Sequence, residues 1–419
     1  MSAVVDTSVL APFRVRNYRF QWPADLATSW AFEMETLILG WYVLVKTGSV
    51  TMLTLFASLQ YIGTLVAPVF GTLGDRFGHK RTACCMRATY ALLASSLMVF
   101  AFVDMLNPVQ VFVVAALMGV VRPSDLIMRY ALIGASMPKD QLPGALGVAR
   151  TTQDSARAVG ALAGAGLVAS AGMGPAYAVI TVLYLASLFL TLGVKVAPNA
   201  RPTDAASATP LREIKDGMGY VWTRGHLLAA MLLACLVNMT AFPLHNGLMP
   251  YVAREIYQTN QTGLGYLVAS FAAGALCGSL LMTRIASKLP SARSMLVFCI
   301  FWYLLIMVFA RMPTHASACA VLVLTGCMQS IAMISMSSMI LRSTDARFRG
   351  RVMGIRMLAI YSLPIGLVLA GQLIPLIGYP NTATLYCLFG IACTAYIGWR
   401  WREHVRSRRW QRLSLRDTC

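Results

Sequence analysis

The sequence predicts an all-α membrane protein with twelve transmembrane helices in two pseudo-symmetric six-helix bundles. Of its 419 residues, 58% are hydrophobic and 12% are charged, and this charged fraction is about half that of a typical soluble protein. The apolar residues fall into blocks of about 20, the length that a helix needs to cross a bilayer. The longest polar stretch, 196–209, lies near the midpoint and separates six blocks from six.

The apolar blocks are joined by short loops and divide the chain into five parts. The segment 1–21 lacks the apolar core of a signal peptide and is predicted to stay in the cytoplasm. The two bundles are predicted at 22–195 and 226–401, with a linker at 196–225 and a basic tail at 402–419. The predicted spans are 22–45, 50–71, 83–103, 108–129, 144–169, 175–195, 226–250, 263–284, 294–311, 316–340, 351–377 and 381–401.

The positive charges are concentrated on one side of the predicted membrane. The chain has 35 Lys and Arg against 16 Asp and Glu, a net charge of +19. Most of the Lys and Arg fall in alternate loops and at the termini; the exceptions are Lys46, Arg254 and Arg311 in the intervening loops and Arg122, Arg150 and Arg157 inside spans. Because cytoplasmic loops carry such an excess, both termini are predicted to be cytoplasmic. The tail and the amphipathic segment 211–222 are expected to lie against membrane lipid, and we predict no nucleic-acid binding.

The sequence contains no motif that points to catalysis or to a cofactor. The ten cysteines lie mostly within predicted spans and none forms a Cys-x-x-Cys pair, so we predict neither disulfides nor a metal site. The phosphate-binding pattern Gly-x-x-x-x-Gly-Lys-Ser/Thr is missing, which argues against ATP as a direct energy source. No nucleophile and base are grouped as they are in acyltransferases. We therefore predict no cofactor and no enzymatic activity.

Small residues recur at matching places in the two halves. When the second half of the sequence is aligned with the first by one constant shift in residue number, identical small residues coincide in five pairs. The pairs are Gly71 with Gly278, Gly147 with Gly354, Ser155 with Ser362, Ala163 with Ala370, and Gly164 with Gly371. Small residues recur where helices pack closely in lipid. Together with the central linker, the coincidences favour a duplicated fold whose halves are related by an axis along the membrane normal.

A charged loop joins the second and third predicted spans. It reads Gly71-Thr-Leu-Gly-Asp-Arg-Phe-Gly-His-Lys-Arg81 and lies between uncharged segments. This run resembles the loop between helices 2 and 3 of the major facilitator superfamily, whose pattern is Gly-x-Leu-Ala/Gly-Asp-Arg-x-Gly-Arg/His-Lys-Arg. Two shorter runs, Thr47-Gly-Ser49 and Arg349-Gly-Arg-Val-Met-Gly354, resemble the branch that contains enterobactin exporters and macrolide-type efflux pumps.

The resemblance implies a conformational role for the charged loop. In the superfamily the acid of this loop pairs with a basic residue at the end of helix 4 and caps the start of helix 11. The matching acid here is Asp75, and the matching partners are Arg129 and the segment Arg349-Gly350-Arg351. The remaining motif positions, which would complete this latch, are Gly71, Arg76, Gly78, Lys80 and Arg81. The second half has no acid at the position equivalent to Asp75.

Ionisable residues inside the predicted spans are the main candidates for a functional site, because a charge in mid-membrane is energetically costly. All of them are expected in the N-terminal half, and they are the acids Asp25, Glu33, Glu35, Asp125 and Asp154 and the bases Arg122, Arg150 and Arg157. The spans of the C-terminal half are expected to offer only neutral polar groups, such as Asn238, His245 and Gln329.

Helical periodicity arranges these charges on particular faces. Two sets of three share one helix face each: Arg150, Asp154 and Arg157 on helix 5, and Arg122, Asp125 and Arg129 on helix 4. Each set could belong to a structural lattice of ion pairs or line a central cavity. We expect Asp154 and Arg157 to line the cavity, and Asp125 and Arg129 to lie nearer the cytoplasm, where the lattice is an equal alternative.

Helix 1 carries three acids with different expected roles. Glu33 and Glu35 are about 200° apart around the helix axis, so they cannot both face one cavity. Glu33 lies on a stripe of small and polar residues and is favoured over Glu35 as the cavity residue. Asp25 is expected near the cytoplasmic surface, where it either stabilises the helix N-terminus or takes part in transport.

The charge balance suggests a coupling ion. The five acids outnumber the three bases, and an unpaired carboxylate in a low dielectric binds a proton readily. We therefore hypothesise proton-coupled transport with Glu33 or Asp154 as the carrier. The run after Arg157 resembles a glycine-rich antiporter motif, with Gly160, Gly164 and Gly166, although an alanine replaces the usual proline. Ordinary close packing of helices is the alternative explanation.

The resemblance and the buried charges together predict a secondary transporter. The expected protein is a monomer of a bacterial inner membrane that exports a small amphipathic molecule, such as a siderophore or a drug, in exchange for protons. Import of a small metabolite or siderophore remains an alternative, since the same fold serves both directions. A receptor or scaffold is less well supported, because it gives no reason for the costly charges.

Overall fold

The structure is a computed structural model that describes residues 11–64, 74, 77–138, 141–195, 210–285, 291–345 and 348–402. Throughout these residues the regular secondary structure is helical, and the described ranges contain no strand. Part of the charged loop, the first part of the linker and the basic tail are outside these ranges, so the predictions for 65–73, 196–209 and 403–419 lie outside the described residues.

The helices form two sets that are separated by the linker. The first set consists of α1 (Arg16–Thr47), α2 (Val50–Leu59), α3 (His79–Phe102), α4 (Pro108–Ser136), α5 (Leu142–Ala171) and α6 (Met173–Leu192). The second consists of α7 (Pro210–Trp222), α8 (Gly225–Thr240), α9 (Gln261–Ile285), α10 (Ser291–Phe309), α11 (His315–Ser343), α12 (Arg349–Leu358), α13 (Ser362–Ile377) and α14 (Tyr379–Arg400).

Most of these helices have the length and hydropathy of membrane spans. Within the described residues, nine helical segments are long and apolar enough to cross a bilayer, with α12 and α13 counted as one segment. The shorter α2 is apolar as well. The 32-residue α1 carries three acids and is not among the nine. Its helix begins at Arg16 rather than at residue 22, and Pro23 therefore lies inside it.

Tight turns join consecutive helices at one end of the molecule, which we call the short-loop end. Gly48 follows α1 with a φ of 63°, a conformation that a residue without a Cβ adopts at little cost. Gly172 and Gly378 have positive φ angles at the two equivalent corners, α5 to α6 and α13 to α14. A capping box of Asn107 and Gln110 starts α4. The opposite end, where α1, α3, α5 and α12 begin, is called the basic end.

The buried apolar side chains fall into two large clusters. One cluster is built from α1, α3, α4 and α6 and includes Met34, Tyr90 and Tyr177. The other is built mainly from α8 to α14 and includes the fully buried Trp302 and Phe309. The second cluster also takes in Leu37, Ala161 and Ala165 of the first set, so the two sets share apolar contacts.

The two sets of helices meet near the short-loop end. Thr51 Oγ1 on α2 donates to the Gly371 carbonyl on α13 at 3.0 Å, and Arg254 Nη1 donates to the Leu44 carbonyl at 2.7 Å. A Cβ added to Gly265 on α9 would lie 2.9 Å from that of Ala165 on α5. Small residues therefore allow the backbones of α5 and α9 to approach closely, as in other membrane proteins.

The linker helix α7 packs on the second set at the basic end, in agreement with the helix predicted at 211–222. The Tyr220 ring stacks on Phe348 with 4.2 Å between centroids. Arg224 forms an ion pair of 3.1 Å with Asp345. Because Arg351 on α12 also lies 3.9 Å from Asp216, α7 is held to the start of α12 by both ring stacking and charge.

Candidate functional site

Four charged side chains form a buried cluster between α1, α3, α4 and α6. Arg87 on α3 donates a hydrogen bond to Asp25 on α1 and lies 4.0 Å from Asp125 on α4. Arg129, one turn from Asp125, binds it at 2.7 Å and lies 3.9 Å from Asp25. All four residues are less than a tenth exposed. Two acids and two bases cancel, so the cluster is electrically neutral.

Hydroxyl and carbonyl groups add hydrogen bonds to this cluster, while Arg87 Nε and Asp125 Oδ1 have no hydrogen-bond partner among the described residues. Arg129 donates to Ser29 Oγ at 2.8 Å, and Arg87 donates to the Thr191 hydroxyl on α6. A small cavity between α1, α4 and α5 is lined by Asp25 and Arg129 together with Trp22 and other residues. A buried guanidinium is tolerated when counter-charges and hydrogen bonds surround it in this way. The geometry is that of the ion-pair lattice considered for Asp125 and Arg129.

The cluster corrects two expectations from the sequence. The position of Asp25 as a helix cap was wrong, because α1 begins at Arg16 and Asp25 lies beyond its second turn, paired with Arg87. Arg87 was counted among the charges of the loops, although it lies inside the predicted span 83–103. Its apolar neighbours on both sides, Ala83, Met86 and Ala88, were the signal that could have identified it as a buried cation.

Glu33 and Arg157 form a second, more open pair between α1 and α5. The Arg157 Nε lies 3.8 Å from Glu33 Oε1, and the two side chains are 35% and 22% exposed. A Cβ added to Gly160 would lie 3.0 Å from the Glu33 Cβ, and one added to Gly164 would lie 3.0 Å from the Met34 Cα. These two glycines thus bring α5 against α1 at the height of the pair. A Cβ at the third position of the motif, Gly166, would meet open space.

Arg122 on α4 lies among neutral polar groups near this pair. Its Nη1 donates to Gln60 Oε1 at 2.8 Å and to Thr36 Oγ1 at 3.4 Å, and its guanidinium lies against the Phe32 ring. Arg122 therefore joins α1, α2 and α4, and it does not share the pairing of Asp125 and Arg129 on its own helix.

Glu35 is enclosed within the first set of helices. Its Oε2 accepts a hydrogen bond of 2.9 Å from the Tyr184 hydroxyl on α6, and the residue is only 4% exposed. The Tyr184 ring lies 5.4 Å from that of Tyr90 on α3. Glu35 and Glu33 therefore point to different neighbours, α6 and α5 respectively.

The start of α5 and the middle of α12 bring further charges to the basic end. Arg150 lies 3.3 Å from Asp154, and its side chain is 67% exposed. Arg356 on α12 is half-buried and donates to Ser337 Oγ on α11 at 2.6 Å. The expectation that the C-terminal spans hold only neutral polar groups was therefore wrong. The sequence did contain a signal for this charge, because Arg356 lies inside the predicted span 351–377.

The loop motif is only partly described. Gly71, Asp75 and Arg76 lie outside the described residues, and so does the side chain of Arg349; the backbone of Arg349 and Gly350 begins α12. Gly78 precedes α3 with a φ of 90°, and Lys80 Nζ donates to the Leu192 carbonyl at the end of α6 at 2.7 Å. Arg81 is exposed in the first turn of α3. The predicted pairing of Asp75 with Arg129 and α12 thus stays a prediction.

Comparison with known protein families identifies the family of this chain. The profile of the family described as transmembrane secretion effector, within the major facilitator superfamily (MFS), matches residues 7–408. The chain belongs to this family. The resemblance noted from the loop motif is therefore confirmed, and this MFS protein is a multi-pass membrane protein of a transporter family.

Several curated relatives of this MFS protein carry names that refer to export. Macrolide efflux protein A of Streptococcus pyogenes is 23% identical over 273 residues, which is 62% of this chain and 66% of that protein. The alignment thus spans slightly less than two thirds of that relative. The enterobactin exporter EntS of Shigella flexneri is 23% identical over 303 residues, covering 72% of this chain and 70% of EntS.

Solved structures support the MFS fold. The nucleoside transporter NupG superposes with a TM-score of 0.72 at 14% identity, covering 91% of this chain and all of NupG. An auto-inhibited peptide transporter of the POT family superposes with a TM-score of 0.72 at 13% identity, covering 94% of this chain and 97% of its own. At such low identity these likenesses concern the fold alone.

Proposed function

We propose that this MFS protein is a proton-coupled exporter of a small amphipathic molecule, siderophore-like or drug-like, in a bacterial inner membrane. It would work as a monomer of twelve membrane helices in two six-helix bundles, with both termini in the cytoplasm. The family and the two export-named relatives support transport. The single observation that carries the coupling is the Glu33–Arg157 pair, half-open between α1 and α5.

The exposure of the pair distinguishes it from the other buried charges. The four-charge cluster is neutral and its four residues are less than a tenth exposed, so its acids are less accessible to water than Glu33 during a transport cycle. Glu33 instead has one loose partner at 3.8 Å and remains partly accessible. A proton on Glu33 would cancel its attraction to Arg157, and the loss of the proton would restore it.

This switch lies where α1 and α5 pack closely. Gly160 and Gly164 hold α5 against α1 beside Glu33, so a change in the Glu33–Arg157 attraction acts directly on the contact between two helices. Asp154, one turn before Arg157 and paired with the exposed Arg150, is the second candidate carrier. We propose that proton binding from one side of the membrane and release to the other accompany the movement of substrate through the space beside α1 and α5.

We further propose that the loop motif controls the change of conformation. Asp75 would pair with Arg129 and the start of α12, together with Gly71, Arg76, Gly78, Lys80 and Arg81. Support comes from Gly74, where an added Cβ would lie 2.7 Å from the Met128 Sδ. Gly74 itself thus lies beside the residue that precedes Arg129, at the basic end of α4.

The coupling is tested by transport in proteoliposomes under an imposed pH gradient. A compound whose secretion is lost when the gene is deleted serves as substrate, and the variants are Glu33→Gln and Asp154→Asn. Glu255→Gln is the matched control, because Glu255 is exposed at the short-loop end and pairs only with Arg254, at 3.5 Å. We expect the control to retain gradient-driven transport and at least one of the two variants to lose it.

Full gradient-driven transport by both variants would disprove the proposed carrier.

The direction of transport is determined in the same vesicles. It is also tested by comparing the secreted compounds and the drug sensitivity of a deletion strain with those of its parent. Accumulation of the substrate against its gradient on the side from which protons leave would indicate export. Movement of substrate and protons in the same direction would instead establish the importer alternative.

A further inference from the structure

Arg254 makes a hydrogen bond between the two sets of helices at the short-loop end. Its Nη1 donates to the Leu44 carbonyl, in the last turn of α1, at 2.7 Å. The same carbonyl accepts the backbone N–H of Gly48 at 2.9 Å. Carbonyl groups at the carboxyl end of a helix carry a partial negative charge, which favours a nearby cation. Arg254 therefore caps the end of α1 from the opposite set of helices.

The segment that carries Arg254 departs from regular α-helix. Between α8 and α9, two π-helical stretches, Pro243–Gly247 and Val252–Ile256, flank the short helix Met249–Tyr251. A π-helical turn interrupts the hydrogen-bond pattern of an α-helix and is a recognised cause of helix bending, often at functional sites. The backbone of 243–256 is therefore not a straight continuation of α8, and Arg254 lies in its last π-helical stretch.

Small and apolar residues bring this segment against the first set. A Cβ added to Gly40 on α1 would lie 3.4 Å from the Pro250 Cγ, and one added to Gly247 would lie 3.2 Å from the Ala57 Cβ on α2. Such contacts depend on shape and carry no charge. The hydrogen bond of Arg254 adds a directional, charge-assisted contact to them, and such bonds are stronger than neutral ones.

The Arg254 side chain lies close enough to solvent for its bond to be exchanged. It is 34% exposed, whereas Arg87 of the four-charge cluster is fully buried. When α1 moves away, water can therefore replace the Leu44 carbonyl as an acceptor. The net effect of one hydrogen bond to a charged group is modest, because its donor is also well solvated in water. The bond thus favours the closed arrangement without making it permanent.

We propose that Arg254 is the latch of a gate at the short-loop end. It stabilises the conformation in which this end is closed, and it releases the Leu44 carbonyl when α1 and the segment 243–256 move apart. The proposal rests on the proposed transport function, because a transporter has to open this end to exchange its substrate. Arg254 thereby sets how often the gate opens.

The test measures gate opening through a cysteine placed between the two sets. Ser58, at the end of α2 that is farther from the short loops, is buried, and its Oγ lies 3.4 Å from the Pro364 carbonyl on α13. In Ser58→Cys the thiol becomes accessible to N-ethylmaleimide when the sets separate, so its alkylation rate follows the open population. The full-length protein in nanodiscs is used, and mass spectrometry of the peptides separates position 58 from the natural cysteines.

Two neutral replacements of Arg254 are compared in this background. Arg254→Gln and Arg254→Met both remove the charged donor, and Arg254→Met keeps the length of an apolar side chain. Each should raise the alkylation rate at position 58 about tenfold, the effect expected for losing one hydrogen bond to a charged group. Unchanged or slower alkylation in either variant, once thermal unfolding has verified that it is folded, would overturn the proposal.

A control variant separates the latch from a general loss of positive charge. Arg311→Gln removes another arginine that is exposed at the short-loop end, and it should leave the alkylation rate unchanged. An equal increase in Arg311→Gln would show that the rate responds to charge or to overall loosening, and it would also overturn the latch.

The alkylation assay needs neither substrate nor a proton gradient, so it distinguishes a failure of the latch from a failure of the proposed function. If the rates agree with a latch but a deletion strain secretes the same compounds as its parent, the latch stands and export is disproved. If proteoliposomes show proton-coupled export while both Arg254 variants are alkylated at the original rate, the transporter stands and the latch is disproved.

Discussion

Arg87 on α3 donates a hydrogen bond to Asp25 on α1, and both side chains lie inside the first set of helices, away from the more open Glu33–Arg157 pair. The same arginine reaches Asp125 on α4 and Thr191 on α6. One side chain thus ties four helices together. The four-charge cluster therefore joins α1, α3, α4 and α6.

Replacement of Arg87 with leucine should destabilise the protein strongly. The variant leaves Asp25 and Asp125 with only Arg129 as a counter-charge, and breaking a buried ion pair typically costs about 3 to 5 kcal/mol. Thermal unfolding in detergent should therefore show a large decrease in midpoint. Arg311→Leu is the control, because Arg311 is exposed and its loss should change the midpoint little.

A double variant tests whether the effect of Arg87 comes from its charge. Asp25→Asn together with Arg87→Gln removes one acid and one base and keeps the cluster neutral. We expect it to be more stable than Arg87→Gln alone, since no unpaired carboxylate remains. Equal or lower stability of the double variant would mean that the shape and hydrogen bonds of Arg87, and not charge balance, determine its contribution.

The hydrogen bond between Tyr184 and Glu35 gives a smaller, well-controlled prediction. Tyr184→Phe removes the 2.9 Å bond to Glu35 Oε2 and leaves a buried acceptor unsatisfied, at a cost of about 1 to 3 kcal/mol. Tyr90 on α3 is the matched control: it is buried in the same cluster, and its hydroxyl has no hydrogen-bond partner among the described residues. Unfolding should be easier for Tyr184→Phe and nearly unchanged for Tyr90→Phe.

The glycines of α5 differ sharply in the space around them. Gly164→Ala would place a Cβ 3.0 Å from the Met34 Cα and 3.1 Å from its Cβ, so α5 and α1 would have to separate. Gly166→Ala meets nothing within 4 Å and should stabilise the helix by up to about 1 kcal/mol. We expect unfolding midpoints to move in opposite directions. Equal midpoints would show that the α1–α5 contact adapts to the added methyl group.

The class of the protein could be predicted from the sequence because it depends on long-range patterns of composition. Apolar blocks of membrane length and the loop motif identify a polytopic transporter fold without any knowledge of contacts. The periodicity of helix 1 also separates Glu33 from Glu35, and the two side chains do point to different helices. These inferences need only the geometry of a single helix.

The partners of the charges could not be predicted in this way. Arg87 was counted as a loop residue because it lies only a few residues from a predicted span boundary. The exact position of such a boundary decides whether a charge is assigned to a loop or to a membrane span. Its partners lie on α1, α4 and α6, and they become close only when the helices pack. The case of Arg356 is similar: its partner Ser337 lies on the preceding helix α11, and nothing in the local sequence indicates the pairing.

Asp75→Asn should slow transport without weakening substrate binding. If Asp75 acts as a latch, its neutral form changes the rate at which the two conformations interconvert and makes no contact with substrate. Turnover in proteoliposomes should decrease severalfold, while the dissociation constant measured in nanodiscs stays within about twofold. Asp104→Asn, in an exposed turn at the short-loop end, is the control. A large loss of affinity in Asp75→Asn would contradict the latch.

The Glu33–Arg157 pair allows a decisive comparison of single and double variants. Arg157→Gln leaves Glu33 without its partner, and Glu33→Gln leaves Arg157 without its own, so either change alone disturbs the contact between α1 and α5. If the pair serves only to hold these helices together, the double variant restores a neutral contact and gradient-driven transport should recover. If Glu33 carries the proton, the double variant has no group to protonate. It should then still bind substrate and exchange it down its gradient, while accumulation driven by the pH gradient remains lost. We expect this second outcome, because the pair is more exposed than the other ion pairs between helices of the first set among the described residues.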